Sequence, residues 1–195
     1  MSELRHKLWL IRHGETEWSL SEQHTGITDI PLTVNGQKAA KLFEPFFAEV
    51  SVALVLTSPL QRARMTCALA GLGQSAEVDR DLMEWNYGDY EGLTMHEIHE
   101  TSPGWMIFKD GGPGGESPEQ VSVRVDRLIA RIRRTEGDVA LFAHGHLLRV
   151  LAARWLGYPA FAGCHFLLDT ATLSILSYYK DIPAVKQWNS PIQAS

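Results

Sequence analysis

Short apolar runs alternate with amphipathic stretches along this chain. Leu8-Trp9-Leu10-Ile11 is continuous and apolar, which predicts a strand buried on both faces. Val52–Leu56 and Asp138–Ala143 repeat that pattern, and Ala76–Val78 predicts a shorter strand. Between them the period lengthens. Thr33 is placed to cap a helix reaching about Glu49, with Ala39, Ala40, Leu42, Phe43, Phe46 and Phe47 recurring on one face as core. Pro59 suits a helix start, and Gln61–Leu72 reads as helix. Thr94–Glu100 predicts a short helix. Ser117 opens a longer one ending near Arg134, with Val121, Val125, Leu128, Ile129 and Ile132 as its apolar stripe. A last helix spans about Leu147 to Leu156. Phe166–Leu168 and Leu173–Tyr178 read as a closing pair of strands. Glu84–Gly92 reads as loop, and Ser102–Gly115, rich in glycine and proline, as an ordered loop or lid.

This alternation predicts an α/β fold: a three-layer α/β/α sandwich around a mostly parallel sheet. The expected organisation is one domain over residues 1–195 with a lid-like insertion around 93–117. Ligands of such sheets sit beyond the carboxyl ends of the strands. Arg12-His13-Gly14, Ser58 to Arg62 and His144-Gly145-His146 all follow predicted strands. If those strands are neighbours, three cationic clusters meet at one edge.

Composition narrows the setting. Apolar residues make up 45% and charged residues 21%, an ordinary globular profile. The net charge of -5 argues against nucleic acid as a partner, while leaving room for a local cationic cleft. Cys67 and Cys164 make no disulfide framework and suit a reducing cytoplasm, where both are expected as buried small apolar residues. No run is long enough for a membrane span, and Met1–Lys7 is charged without an apolar leader behind it. Arg124, Arg127, Arg131, Arg133 and Arg134 are expected on the solvated face of one helix. Oligomeric state is not decided by the sequence, and a homodimer stays open.

The chemistry centres on His13. A neutral imidazole is a good nucleophile near neutral pH if its other ring nitrogen is held by an acceptor. Arg12 offers a charged fork for phosphoryl oxygens, and Gly14 allows close backbone approach. Taken singly, each residue has a plainer reading. His13 alone is a histidine after a strand, Arg62 a helix-surface arginine, and Glu84 one acid among many. His144 and His146 alone have a metal-ligand spacing, but no Cys, Asp or Glu cluster accompanies them. The expected metal is none, and no cofactor is implied.

Taken together, the blocks are more specific. Leu10-Ile11-Arg12-His13-Gly14-Glu15-Thr16-Glu17-Trp18-Ser19 resembles the signature of the histidine phosphatase superfamily, which includes cofactor-dependent phosphoglycerate mutases and many phosphatases. The likeness continues in Thr25–Thr33, Ser58–Arg64, Glu84–Gly92, Gly115-Glu116-Ser117 and Ala143–His146. The resemblance implies roles. His13 becomes phosphorylated. Arg12, Arg62 and His144 surround the phosphoryl oxygens. Glu84 protonates the leaving oxygen and then activates water. Ser19, Thr25, Gly26 and Tyr87 line the phosphate and substrate pocket, partly through backbone N–H groups. The physics is consistent, because phosphoryl transfer needs positioning and cationic stabilisation more than covalent help.

Mutase members carry extra basic residues between the acid and the second histidine. Here Leu93–Ser117 holds only Lys109 besides histidines, which favours hydrolysis over transfer. Ser19 stands where many members have Asn, and His146 where mutases often have Asn. The combination of Trp18-Ser19, His144-Gly145-His146 and Phe166–Asp169 is similar to fungal sedoheptulose-1,7-bisphosphatases and bacterial mutase-like acid phosphatases. That implies a small phosphorylated metabolite as partner, a sugar phosphate or bisphosphate, with His146 and Lys109 reaching a second anionic group. The alternatives are a phosphoglycerate mutase, a phosphoprotein phosphatase and a non-catalytic scaffold; the retained Arg12, His13, Arg62, Glu84 and His144 argue against the scaffold.

Overall fold

A computed structural model describes residues 7–192; the charged N-terminal stretch considered above lies almost wholly outside the described residues. In chain order the elements are β1 (Leu8–Arg12), α1 (Glu17–Leu20), α2 (Val34–Lys41), α3 (Phe43–Ala48), β2 (Leu54–Thr57), α4 (Gln61–Leu69), β3 (Ala76–Val78), α5 (Met95–Thr101), α6 (Ile107–Asp110), α7 (Pro118–Ile132), β4 (Val139–Ala143), α8 (Gly145–Trp155), β5 (Thr172–Tyr179) and β6 (Ile182–Pro191).

The strands form one sheet in the order β3-β2-β4-β1-β5-β6. The first four run parallel, while β5 and β6 are antiparallel to their neighbours. The expected α/β sandwich is thus the observed one. The apolar runs are continuous because the sheet is covered on both faces. Leu8 and Leu10 point into a cluster with Val125, Leu128, Leu148 and Leu151 from α7 and α8. Trp9 and Ile11 point the other way, onto Phe43 and Phe47 of α3 and Cys67 of α4. Burying each such side chain contributes roughly 1.5–3 kcal/mol.

Several elements differ from expectation. The helix expected from Thr33 to Glu49 is two, α2 and α3, joined at Leu42. Pro45 lies in the first turn of α3 and has no N–H to continue the ladder from α2. Phe166–Leu168 is not a strand, and the antiparallel partner of β5 is β6. Pro183 and Pro191 mask β6 in the sequence, but it lies at the sheet edge, where proline is tolerated. The Ser102–Gly115 stretch contains α6, and Trp105, Ile107 and Phe108 there are buried in the core.

Arg124 is a further correction. Instead of facing solvent it is buried, donating to Glu116 and to the carbonyls of Asp81, Met83 and Glu84. Arg127 and Arg131 do lie on the exposed side of α7, paired with Asp81 and with Glu77 and Asp79. Ser117 caps α7 as expected from the sequence, and forms a capping box with Gln120. No helix among the described residues is long and apolar enough to cross a membrane.

Candidate active site

The strand order makes β2, β4 and β1 neighbours, so their carboxyl ends share one edge. Arg12 ends β1 opposite Ala143 at the end of β4. The ladder runs one step further: His13 N–H donates to Ala143 O at 2.9 Å, and Ser58 N–H to Phe142 O at 3.0 Å. His13, Ser58 and His144 are therefore adjacent because the strands beneath them are in register.

Glycine shapes the turn after β1. A Cβ on Gly14 would meet Gly36 O at 2.5 Å, and one on Gly36 would meet Glu15 O at 2.2 Å. The start of α2 thus lies directly against the turn. Gly14 N–H donates to Thr66 Oγ1 of α4, and Thr33 Oγ1 donates to Glu15. Gly14 serves this backbone contact with Gly36, as well as any approach of a ligand.

His13 is buried, and its Nδ1 lies 2.7 Å from Gly14 O. A carbonyl only accepts, so Nδ1 carries the proton and the neutral ring keeps its lone pair on Nε2. Burial first, then the charges of Arg62 and Arg12, hold the His13 pKa well below the ordinary histidine value. Its ring centroid is 5.2 Å from that of His144. His144 is fully buried, with Nδ1 accepting from Arg62 Nε at 3.2 Å and Nε2 at 2.8 Å from Ser58 Oγ. Burial, then Arg62 and His13, depress its pKa as well.

Glu84 sits at the N-terminus of α8, where the cap residue His144 makes no side-chain cap bond. The Glu84 carboxylate supplies the missing acceptors. Oε1 accepts from Trp85 N and Leu147 N, and Oε2 from His146 N at 3.0 Å. Carboxylate and helix terminus satisfy each other. Arg124, donating to Glu84 O, fixes the backbone behind it.

A cavity of about 310 Å³ opens above these groups. Arg12, His13, Ser19, Thr25, Glu84, Tyr87 and His146 line it, as the sequence leads one to expect. The buried Nε of Arg12 has no hydrogen-bond partner among the described residues, while Nη1 donates to Leu168 O. Gly145 lies against that guanidinium; a Cβ there would meet Arg12 Nε at 3.3 Å. Arg62, Gly26 and His144 are not in the cavity wall but adjoin it. Arg62 donates to the carbonyls of Thr25, Gly26 and Thr28 as well as to His144. Gly26 N–H donates to Glu91, so that amide is not free for a ligand. The Ser19 hydroxyl closes the capping box of α1 with Thr16. Tyr87 OH lies 2.5 Å from His146 Nδ1, and burial raises the phenol pKa and lowers that of the imidazole, so both are neutral.

Lys109 is not at the cavity. Its ammonium is exposed beside Asp110. Three residues given no individual role from the sequence belong to the site. Arg149 lines the cavity with its guanidinium 4.5 Å from the Phe108 ring. It lies three residues after His146 on α8, hence on the same helix face, which is the signal that points to it. His24 lines the cavity beside Thr25, and Ser58 holds His144. Among the described residues no group of three or more His, Cys, Asp and Glu is placed to hold a metal. A wider hollow of about 780 Å³ beside β3 offers only Arg64 and Cys67 as ionisable groups, and burial pushes the Cys67 thiol up to about 12.

Known proteins resemble this chain in sequence and fold. The acid phosphatase of Mycobacterium tuberculosis is 38% identical over 182 residues, covering 91% of this chain and 89% of that one. The sedoheptulose 1,7-bisphosphatase of Saccharomyces cerevisiae is 36% identical over 219 residues, covering 95% and 80%. A solved structure of a Mycobacterium tuberculosis open reading frame superposes with a TM-score of 0.91 at 35% identity, covering 96% of this chain and 99% of that one. The model of the histidine phosphatase superfamily (branch 1) matches residues 8–191. With a neutral histidine, a buried guanidinium and a carboxylate at the edge of the sheet, and a match over that span, this chain belongs to the histidine phosphatase superfamily.

Proposed function

We propose that the chain hydrolyses the phosphomonoester of a small sugar phosphate or bisphosphate through a phosphohistidine on His13. The observation that carries this reading is the His13 Nδ1–Gly14 O bond, which leaves Nε2 unprotonated beside Arg12 and Glu84. Nε2 attacks phosphorus, and the bond to the leaving oxygen breaks. Glu84 gives that oxygen a proton. Oε2 is the oxygen with room for it, because Oε1 already accepts two N–H bonds. Glu84 then takes a proton from water, which attacks phosphohistidine and releases inorganic phosphate.

Arg12, whose guanidinium lines the cavity, meets the phosphoryl oxygens. Arg62 adds positive charge from behind His13, and the neutral His144 between them holds Arg62 Nε in place. Thr25, Ser19 and Tyr87 form the substrate walls, with Gly26 holding the loop to Arg62 and Glu91. A second anionic group on the substrate meets Arg149, with His146 beside it, in place of Lys109. Hydrolysis is favoured over transfer by the names of the two relatives and by the position of Lys109 outside the cavity. The cationic set stands in for a metal, and the free thiols suit a cytoplasmic enzyme.

Phosphate release is to be measured in excess EDTA over sugar mono- and bisphosphates, phosphoglycerates and phosphoserine, with His13→Ala in parallel. The expected result is release that survives EDTA and vanishes in the variant, with an acid-labile, alkali-stable phosphoryl label on wild-type protein only. Equal release by the variant would sink the reading. Transfer between phosphoglycerates without release would establish a mutase.

A further inference from the structure

We propose that His24 is a specificity-determining residue whose Nε2 accepts a hydrogen bond from a hydroxyl of a polyhydroxylated phosphate. The proposal rests on the hydrolase reading above and names the group that selects its leaving moiety.

His24 lines the cavity but is only 8% exposed. Its Nδ1 lies 2.9 Å from Leu93 O. Because a carbonyl only accepts, Nδ1 carries the proton, and in the neutral ring the lone pair is on Nε2. Nε2 has no partner among the described residues. Burial lowers the His24 pKa, which keeps the ring neutral at neutral pH.

The ring is also preset in orientation. It stands edge to face with Tyr87 at 4.8 Å and with Trp105 at 5.5 Å, and parallel to His146 at 6.1 Å. The backbone is pinned too, with His24 N–H donating to Leu93 O and Gly92 N–H donating to His24 O. A rigid, mostly buried acceptor on a cavity wall discriminates by what it meets. A hydroxyl satisfies it. An aryl or alkyl group leaves it desolvated and unpaired, and an anionic oxygen repels its lone pair. The anion therefore belongs at Arg149 and the hydroxyl at His24.

The test compares kcat/KM for glucose 6-phosphate and fructose 1,6-bisphosphate with that for phenyl phosphate, which has no hydroxyl. Wild type, His24→Phe and His24→Gln are measured together. The expected result is a fall of about tenfold or more in the polyol-to-phenyl ratio in His24→Phe, partly recovered in His24→Gln, which keeps an acceptor. An unchanged ratio in His24→Phe would overturn the proposal while leaving the hydrolase reading intact. Wild-type enzyme that releases no phosphate from either sugar phosphate would remove the sugar-phosphate reading and this proposal with it. Should His24→Phe not fold, the ¹⁵N resonance of His24 Nε2 decides in His13→Ala protein, where glucose 6-phosphate is not consumed. A shift with glucose 6-phosphate and none with inorganic phosphate supports the assignment; the same response to both overturns it.

Discussion

At the residue scale, the site sets opposing demands on charged and neutral groups. His13 and His144 must be neutral, and burial beside arginines keeps them so. This has a sign that stability measurements can read. In the unfolded chain both histidines protonate below about pH 6.5, whereas the folded protein keeps them neutral. The unfolded state then binds more protons, so stability is full above that pH and falls as pH drops through the window below it. The slope approaches about 1.4 kcal/mol per pH unit for each histidine. Urea midpoints at pH 7.5 and 5.5 are expected to differ accordingly, and a flat profile would contradict the assignment. The same depression predicts that kcat/KM does not fall near pH 6.5 on the acid side. Glu84→Gln tests the acid. It keeps the shape but cannot give a proton, so kcat on sugar phosphates is expected to fall about 10²–10⁴-fold. In kcat/KM, which reports only the step that forms phosphohistidine, the loss is smaller on p-nitrophenyl phosphate, whose leaving group departs unprotonated; equal losses in kcat/KM on both would argue against proton donation.

At the element scale, the proposed catalytic groups depend on contacts between segments distant in sequence. Arg124 joins α7 to the loop carrying Glu84, through Glu116 and three carbonyls. Arg124→Ala would leave Glu116 without its cation and those carbonyls unpaired. It is expected to cost roughly 2–4 kcal/mol in denaturant titration, and to lower kcat by displacing Glu84. Arg124→Lys is expected to rescue little, since an ammonium cannot reproduce the fork. Helix periodicity puts Arg124 beside Val121 and Val125, but its identity as arginine led to the solvated reading. What the pattern lacked was the set of carbonyls that meet it after folding. Gly14→Ala belongs here as well. Its Cβ would collide with Gly36 backbone, so α2 and the nucleophile loop must part. Both thermal stability and activity are expected to fall, whereas unchanged values would mean the turn is not constrained as described.

At the scale of the whole molecule, the C-terminal hairpin supports the site from a distance. The β6 strand covers the edge of β5 and ties down the segment before it. Trp188 Nε1 donates to Leu167 O, and Asn189 exchanges two hydrogen bonds with Asp169. Leu168 between them accepts from Arg12. Truncation after Tyr179 is expected to aggregate through the exposed β5 edge. Asn189→Ala, a milder change, is expected to raise KM more than it lowers Tm, because it frees the strap that holds Arg12; the reverse pattern would show a purely structural role. The sequence did not point to this strap, since Phe166–Leu168 looks like a strand and β6 is broken by proline.

The sequence by itself determined the α/β class, the buried strands, the helix caps at Thr33 and Ser117 and the residue types of the chemistry. These are local matters: apolar runs suit only strands buried on both faces, and His13, Arg12, Glu84 and His144 stand at strand ends or in the loop between them. Tertiary structure decided the rest. Only the register of β1, β4 and β2 brings the histidines within 5.2 Å ring spacing. Only folding showed that Arg62 and Arg124 spend their donors on carbonyls, that Lys109 points away while Arg149 and His24 face the cavity, and that Gly14 is required by Gly36. The physical reason is the same throughout. A side chain's identity gives its capacity for charge and hydrogen bonding, but which partners claim that capacity depends on segments far away in the chain.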